Sequence, residues 1–73
     1  MGNESKVITV SINGEARQIP ANATVAVLIE EMGLTGKRIA LERNGEIVPR
    51  DRWGESAVAA ADQFEIVRFV QGG

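Results

Sequence analysis

Phe69-Val70-Gln71-Gly72-Gly73 closes the 73-residue chain, so two glycines directly follow a stretch that alternates as a β-strand does. Without a Cβ, a Gly-Gly end threads a narrow tunnel, lies flat against another protein's backbone and presents a bare α-carboxylate. Such an end suits an enzyme that must activate a C-terminus, with Gly73 as the reacting residue and Gly72 supplying flexibility and slimness. The competing reading is accident, because terminal residues are commonly mobile. At an average glycine usage of about 7%, two arbitrary terminal positions are both Gly in roughly 0.5% of chains. The dipeptide alone leaves the two readings open, and the remainder of the chain has to decide between them.

Size and composition favour a carrier or binding role over catalysis. A chain of 73 residues with 44% hydrophobic content makes one domain, near the lower size at which a single core folds alone. Its apolar residues are needed to cover one another, which leaves little for the walls of a cleft. Cys and His are both absent, so the common zinc ligands, thiol nucleophiles and imidazole bases are missing. Glu30 and Glu31, adjacent on an expected helix, point to different sides and cannot flank one substrate. Eight Lys and Arg against ten Asp and Glu give a net charge of -2 with no basic run, which argues against nucleic acid. No apolar segment approaches the ~20 residues of a membrane span, and the polar start Met1-Gly2-Asn3-Glu4-Ser5-Lys6 lacks a signal-peptide core. The expectation is a cytoplasmic protein, monomeric when free.

The elements that must position the tail are read from periodicity. Lys6 to Ile12 alternates, with Ile8, Val10 and Ile12 on one face, and Asn13-Gly14 supplies the positive φ angles of a tight hairpin. The return strand, Glu15 to Pro20, has Ile19 as its one strong apolar residue and ends in proline, as an edge strand does. Thr24 caps a helix whose apolar positions Val25, Leu28, Ile29 and Met32 share a face. Gly33 is placed to end that helix, with Leu34 folding back. Arg38 to Arg43, Asn44-Gly45 and Glu46-Ile47-Val48-Pro49 form a second hairpin. Pro49 to Trp53 reads as one helical turn whose Trp packs on the core, and Gln63 to Val70 as the last strand.

Strand, strand, helix, strand, strand, turn, strand is the plan of an α+β, ubiquitin-like β-grasp: a mixed sheet of four to five strands with one helix on one face. The first and last strands are then parallel neighbours at its centre. The expected organisation is a flexible segment over residues 1–5, a folded domain over 6–70 and an exposed flexible tail over 71–73.

The last strand carries apolar residues on both faces. Phe64 and Ile66 fit beneath the helix, which leaves Val67 and Phe69 on the uncovered face. An exposed Phe and Val just before the end of the chain form a candidate docking patch. Burying both against a partner supplies roughly 3 to 5 kcal/mol before ordering costs.

Three segments resemble one family: Asn44-Gly45-Glu46-Ile47-Val48-Pro49-Arg50 with Trp53 close behind, Asp62-Gln63-Phe64-Glu65-Ile66-Val67, and Gly72-Gly73. Together they are similar to the ThiS sulfur carriers of thiamine biosynthesis, β-grasp relatives of ubiquitin and of the small subunit of molybdopterin synthase. The Asn-Gly-x-Ile-Val-Pro-Arg segment is the discriminating part. Two positions depart from the family: Ala61-Asp62 stands where Gly-Asp is frequent, a difference confined to a turn, and Gln71 stands where a third glycine is frequent.

The resemblance implies that an E1-like, ThiF-like enzyme uses ATP and magnesium to adenylate the Gly73 carboxylate, the chain itself binding no cofactor. A sulfurtransferase or cysteine desulfurase then supplies the sulfur that replaces AMP, and the resulting thiocarboxylate donates it to a ThiG-like thiazole synthase. The chain is a carrier and co-substrate, with no catalytic or metal-binding residue of its own. Val67 and Phe69 are the candidate contacts to activator and synthase, while Arg68 and Gln71 contribute hydrogen bonds along the tail. Arg50 belongs to the motif but reads equally as a fold-stabilising charge. Three rivals stay open: sulfur delivery to a molybdenum cofactor precursor, a cysteine precursor or tRNA; ubiquitin-like conjugation; and a non-reacting β-grasp interaction module.

Overall fold

Alternation sets the first strand, β1 (Val7–Ile12), and Asn13-Gly14 turns it into β2 (Glu15–Pro20). Asn13 and Gly14 have φ of 51° and 85°, the left-handed pair whose twist matches that of a two-residue hairpin. The register runs from Ile12 opposite Glu15 to Val7 opposite Pro20. The second Asn-Gly does the same between β3 (Ile39–Arg43) and β4 (Glu46–Ile47). The computed structural model describes residues 6–69. The expected flexible segment 1–5, the tail 71–73 and Val70 at the expected end of the last strand lie outside them.

Thr24 accepts a hydrogen bond from the Val27 amide at 3.4 Å and so caps α1 (Val25–Glu31). At the other end the Leu34 amide donates to the Ile29 carbonyl and the Gly33 amide to Glu30, both at 3.0 Å. That is the double bond pattern of a glycine-terminated helix, and Gly33 has the required φ of 74°. Val25, Leu28 and Ile29 are buried, while Met32 caps the helix and is only partly covered.

The strands form one mixed sheet in the order β2-β1-β5-β3-β4, with β5 spanning Gln63–Arg68. The first and last strands are parallel at its centre, β2 lies on an edge, and β3 runs antiparallel to β5. This is the β-grasp arrangement. α1 carries the chain across one face from β2 to β3, over the side chains of Val10, Ile12, Leu41 and Phe64. The expected helical turn is a longer 3₁₀ helix, Arg50–Glu55. Its Trp53 is buried in the core and donates from Nε1 to the Val48 carbonyl at 2.9 Å. β4 is shorter than expected: the Val48 amide still donates to the Leu41 carbonyl, but the Val48 carbonyl accepts from Trp53 Nε1 and Pro49 offers no amide.

Ala61-Asp62 is more than an ordinary turn. Ala61 holds a φ of 70°, a conformation that costs a residue with a Cβ roughly 1–2 kcal/mol. Asp62 behind it is buried: its carboxylate accepts from the Ala59 amide at 2.8 Å and from Asn44 Nδ2 at 3.2 Å, and pairs with Arg43 Nε at 3.1 Å. The two residues therefore have opposite mutational signs. Ala61→Gly should raise the urea-unfolding free energy by about 0.5–1 kcal/mol, relief of strain exceeding the added chain entropy. Asp62→Ala should lower it by about 2–3 kcal/mol, through charged hydrogen bonds lost and partners left unpaired. Chemical denaturation of both variants checks the pair.

Candidate functional site at the end of the last strand

β5 is gripped from both sides by the turns that end its neighbours. On the β3 side the backbone bonds run from Asn44 N–H to the Gln63 carbonyl at 2.7 Å through to Phe69 N–H to the Arg38 carbonyl at 2.9 Å. The Asn44 side chain adds a bond, its Oδ1 accepting from the Gln63 amide at 2.9 Å. On the β1 side Asn13 N–H donates to the Phe64 carbonyl at 2.9 Å. The Asn13 side chain then acts as one more strand residue: Oδ1 accepts from the Ile66 amide at 2.8 Å and Nδ2 donates to the Ile66 carbonyl at 3.3 Å. Asn is the residue that can do this, because its amide carries a donor and an acceptor and it tolerates the left-handed turn.

Beyond Ile66 the strand leaves the cover of the domain. Val67 and Phe69 are 54% and 56% exposed, on the face opposite α1, since Phe64 and Leu41 occupy the covered face. Phe69 does not pack beneath Trp53 or a loop. Arg68 is exposed and forms no salt bridge among the described residues. Gln71, Gly72 and Gly73 lie outside the described residues. Of the six residues expected to act, Val67, Arg68 and Phe69 are thus placed together, at the point where β5 emerges.

Ile47 was not singled out in the sequence, yet it is 63% exposed and lies on the same uncovered face. It pairs with Glu42, which pairs with Glu65, two residues before Val67. The signal was present: a two-residue turn at Asn44-Gly45 puts Ile47 opposite Glu42, and Leu41 facing the core turns Glu42 outward. Glu42 and Glu65 stand directly opposite one another, a like-charge pairing that disfavours the sheet slightly. They line an open depression of about 490 Å³ with Ser11, Gln63 and the turn glycines Gly14 and Gly45. Among the described residues no group of three or more His, Cys, Asp or Glu is placed to hold a metal ion.

Arg50 acts as a brace. Its guanidinium lies 4.9 Å from the Trp53 ring centroid, and Nη2 donates to the Lys37 carbonyl at 2.8 Å. Lys37 directly precedes Arg38, whose carbonyl takes the Phe69 amide. The Pro-Arg and Trp part of the motif therefore supports the loop that enters β3, the neighbour of β5.

The ThiS family model matches residues 10–73. The sulfur carrier protein ThiS of Escherichia coli is 33% identical over 64 residues, covering 88% of this chain and 97% of that protein. A thiazole synthase of Paramagnetospirillum magneticum is 45% identical over 62 residues, covering 85% of this chain but 19% of that protein. A thiazole synthase of Magnetococcus marinus is matched over 20% of its length, so the chain spans about a fifth of these two relatives. The crystal structure of a thiamine biosynthesis protein (ThiS) from Geobacter metallireducens superposes with a TM-score of 0.77 at 22% identity, covering 90% of this chain and all of that one.

The Asn13 clamp is separable from the turn it sits in. Asn13→Gly keeps the positive φ and removes only the side chain. It should cost about 1 kcal/mol in chemical denaturation, and amide exchange should show the lost protection concentrated at Ile66 while Leu41 and Phe64 stay protected.

Proposed function

The chain belongs to the ThiS family, and from that we propose that it is a sulfur carrier of thiamine biosynthesis whose Gly73 carboxylate is activated, loaded with sulfur and discharged by other proteins. The observation that carries the reading is the match over residues 10–73, which takes in both the exposed end of β5 and the terminal glycines. The likeness to the E. coli carrier along almost its whole length supports the same reading.

The chemistry follows from the carboxylate. Its oxygen attacks the α-phosphorus of ATP on an E1-like, ThiF-like partner, which uses magnesium, and pyrophosphate leaves. The acyl adenylate so formed has in AMP the leaving group that a free carboxylate lacks. Hydrosulfide, free or released by a thiol reductant from the persulfide of a sulfurtransferase or cysteine desulfurase, attacks the acyl carbon; the C–S bond forms as the C–O bond to AMP breaks. The Gly73 thiocarboxylate then passes to a thiazole synthase. This chain has no thiol or imidazole to assist, so its own contribution is to bind, to orient and to hold out the reacting end. Two relatives named thiazole synthase, each containing a segment like this chain, favour that acceptor over a molybdenum cofactor or tRNA pathway.

Val67 and Phe69 supply docking energy, with Ile47 widening the surface and Gln71 and Gly72 lying along the tail. The test is intact mass spectrometry after incubation with a ThiF-type adenylating enzyme, ATP, magnesium and sulfide. The expected product is heavier by one exchange of oxygen for sulfur, and deletion of Gly73 abolishes the gain without changing the unfolding midpoint. An unchanged mass under conditions that charge the E. coli carrier favours the non-reacting module, and isopeptide-linked products favour conjugation. Phe69→Ala should slow charging about tenfold or more, the value of one anchoring side chain at an interface, with stability altered by no more than about 0.5 kcal/mol, as for an exposed position.

A further inference from the structure

The backbone of β5 offers an unused pairing edge where it emerges. Along this strand the N–H and C=O groups alternate sides. Those of Gln63, Glu65, Val67 and Phe69 face β3, in the register that ends with Phe69 N–H on the Arg38 carbonyl. Those of Phe64 and Ile66 face the other way, and the described structure serves both: Asn13 N–H reaches the Phe64 carbonyl, and the Asn13 side chain pairs with both backbone groups of Ile66. The next residue on that side is Arg68. There β1 has already ended at Ile12, its last pairing being with Phe64, and no loop backbone of the described residues bonds to Arg68.

An exposed N–H and C=O on one strand edge, in extended geometry, match the backbone of another extended segment. In such pairing the main chain gives affinity and the alternating side chains give specificity. Here Val67 and Phe69 flank Arg68 and are both exposed. The comparisons point to the occupant. In two relatives a segment like this chain lies within a polypeptide named thiazole synthase and makes up about a fifth of it. Covalent linkage of that kind keeps the domain and the remaining chain at high effective concentration, so a short pairing suffices to align them.

We propose that an extended segment of a thiazole synthase adds to β5 at Arg68, pairing with its backbone N–H and C=O beside the residue that Asn13 already caps. The inference rests on the sulfur-carrier reading and deepens it: the Arg68 main chain, rather than its guanidinium, sets the register in which the tail enters the acceptor. Asn13 marks where the domain's own pairing stops and the partner's begins.

Residue-resolved amide exchange on the isotopically labelled chain, alone and saturated with a thiazole synthase, tests this without any substitution. The Arg68 amide should exchange freely in the isolated chain and slow by about tenfold or more in the complex, as expected when a backbone hydrogen bond forms. In parallel, Arg68→Pro, which removes an N–H the fold does not use and fixes φ there, should bind the synthase about tenfold more weakly than Arg68→Ala, which keeps that N–H. A complex in which Arg68 exchanges as in the free chain, or in which Arg68→Ala weakens binding as much as Arg68→Pro, overturns the inference and leaves the carrier reading standing. Protection that rises with the concentration of the chain alone assigns the edge to a second copy and likewise overturns it. Failure to form any complex with thiazole synthase, or to pass sulfur to it, overturns the functional reading as well.

Discussion

The pairing of β5 between β1 and β3 is the constraint on which the rest of the molecule depends. A strand at the sheet centre that is parallel to the first strand is available only if the chain between them crosses the sheet. α1 is that crossing, and its buried Val25, Leu28 and Ile29 meet the covered side of β1, β3 and β5. The core thus exists where it does because the last strand must close the sheet from inside rather than add to its edge. Once it is closed, Val67, Arg68 and Phe69 are tethered to a strand held on both sides.

The segment from Asn44 to Trp53 has a structural role one step removed from β5. Asn44 contacts Gln63 and Asp62, Trp53 bonds the Val48 carbonyl, and Arg50 joins the Trp ring to the Lys37 carbonyl. These contacts hold the residues just after β3 and β4 and the loop entering β3, and that loop carries the Arg38 carbonyl that accepts the last described β5 bond. An isolated surface arginine contributes little, but one that stacks on an aromatic ring and also satisfies a carbonyl ties two loops together. The motif thus bears on how β5 is held.

Most of the fold was legible from local pattern. The two Asn-Gly turns, the α1 face and the alternation in β1, β3 and β5 each rest on short-range chemistry, and the adjacency of the first and last strands at the sheet centre followed from element order. What was not legible lies in contacts across long sequence separations. That Asn13 would clamp Ile66, 53 residues away, depends on the final register between β1 and β5, which no local window contains. Ala61 gave no sign of a left-handed backbone, since alanine ordinarily avoids it. Asp62 read as a turn residue, whereas its burial arises from Arg43 and Asn44 closing over it. The outward placement of Val67 and Phe69 was legible because a sheet with one helix has one uncovered face. That of Ile47 required carrying the register through a two-residue turn.

A carrier that is charged by one protein and discharged by another works only if neither complex is tight. Burying side chains the size of Val67 and Phe69 is worth roughly 3–5 kcal/mol, and the ordering cost of association takes back much of it. Alone, such a patch gives a short-lived complex with loose orientation. Adding apolar area would lengthen the complex but slow the hand-over, because affinity is gained mainly through slower release. Backbone pairing of the kind proposed at Arg68 would meet the need differently: it adds little affinity per bond while permitting only discrete registers, so it would align the proposed reacting end without trapping it. On the proposed reading, a strand held as far as Ile66 by Asn13, with the Arg68 backbone unpaired among the described residues, would divide the work between a domain that stays folded and partners that come and go.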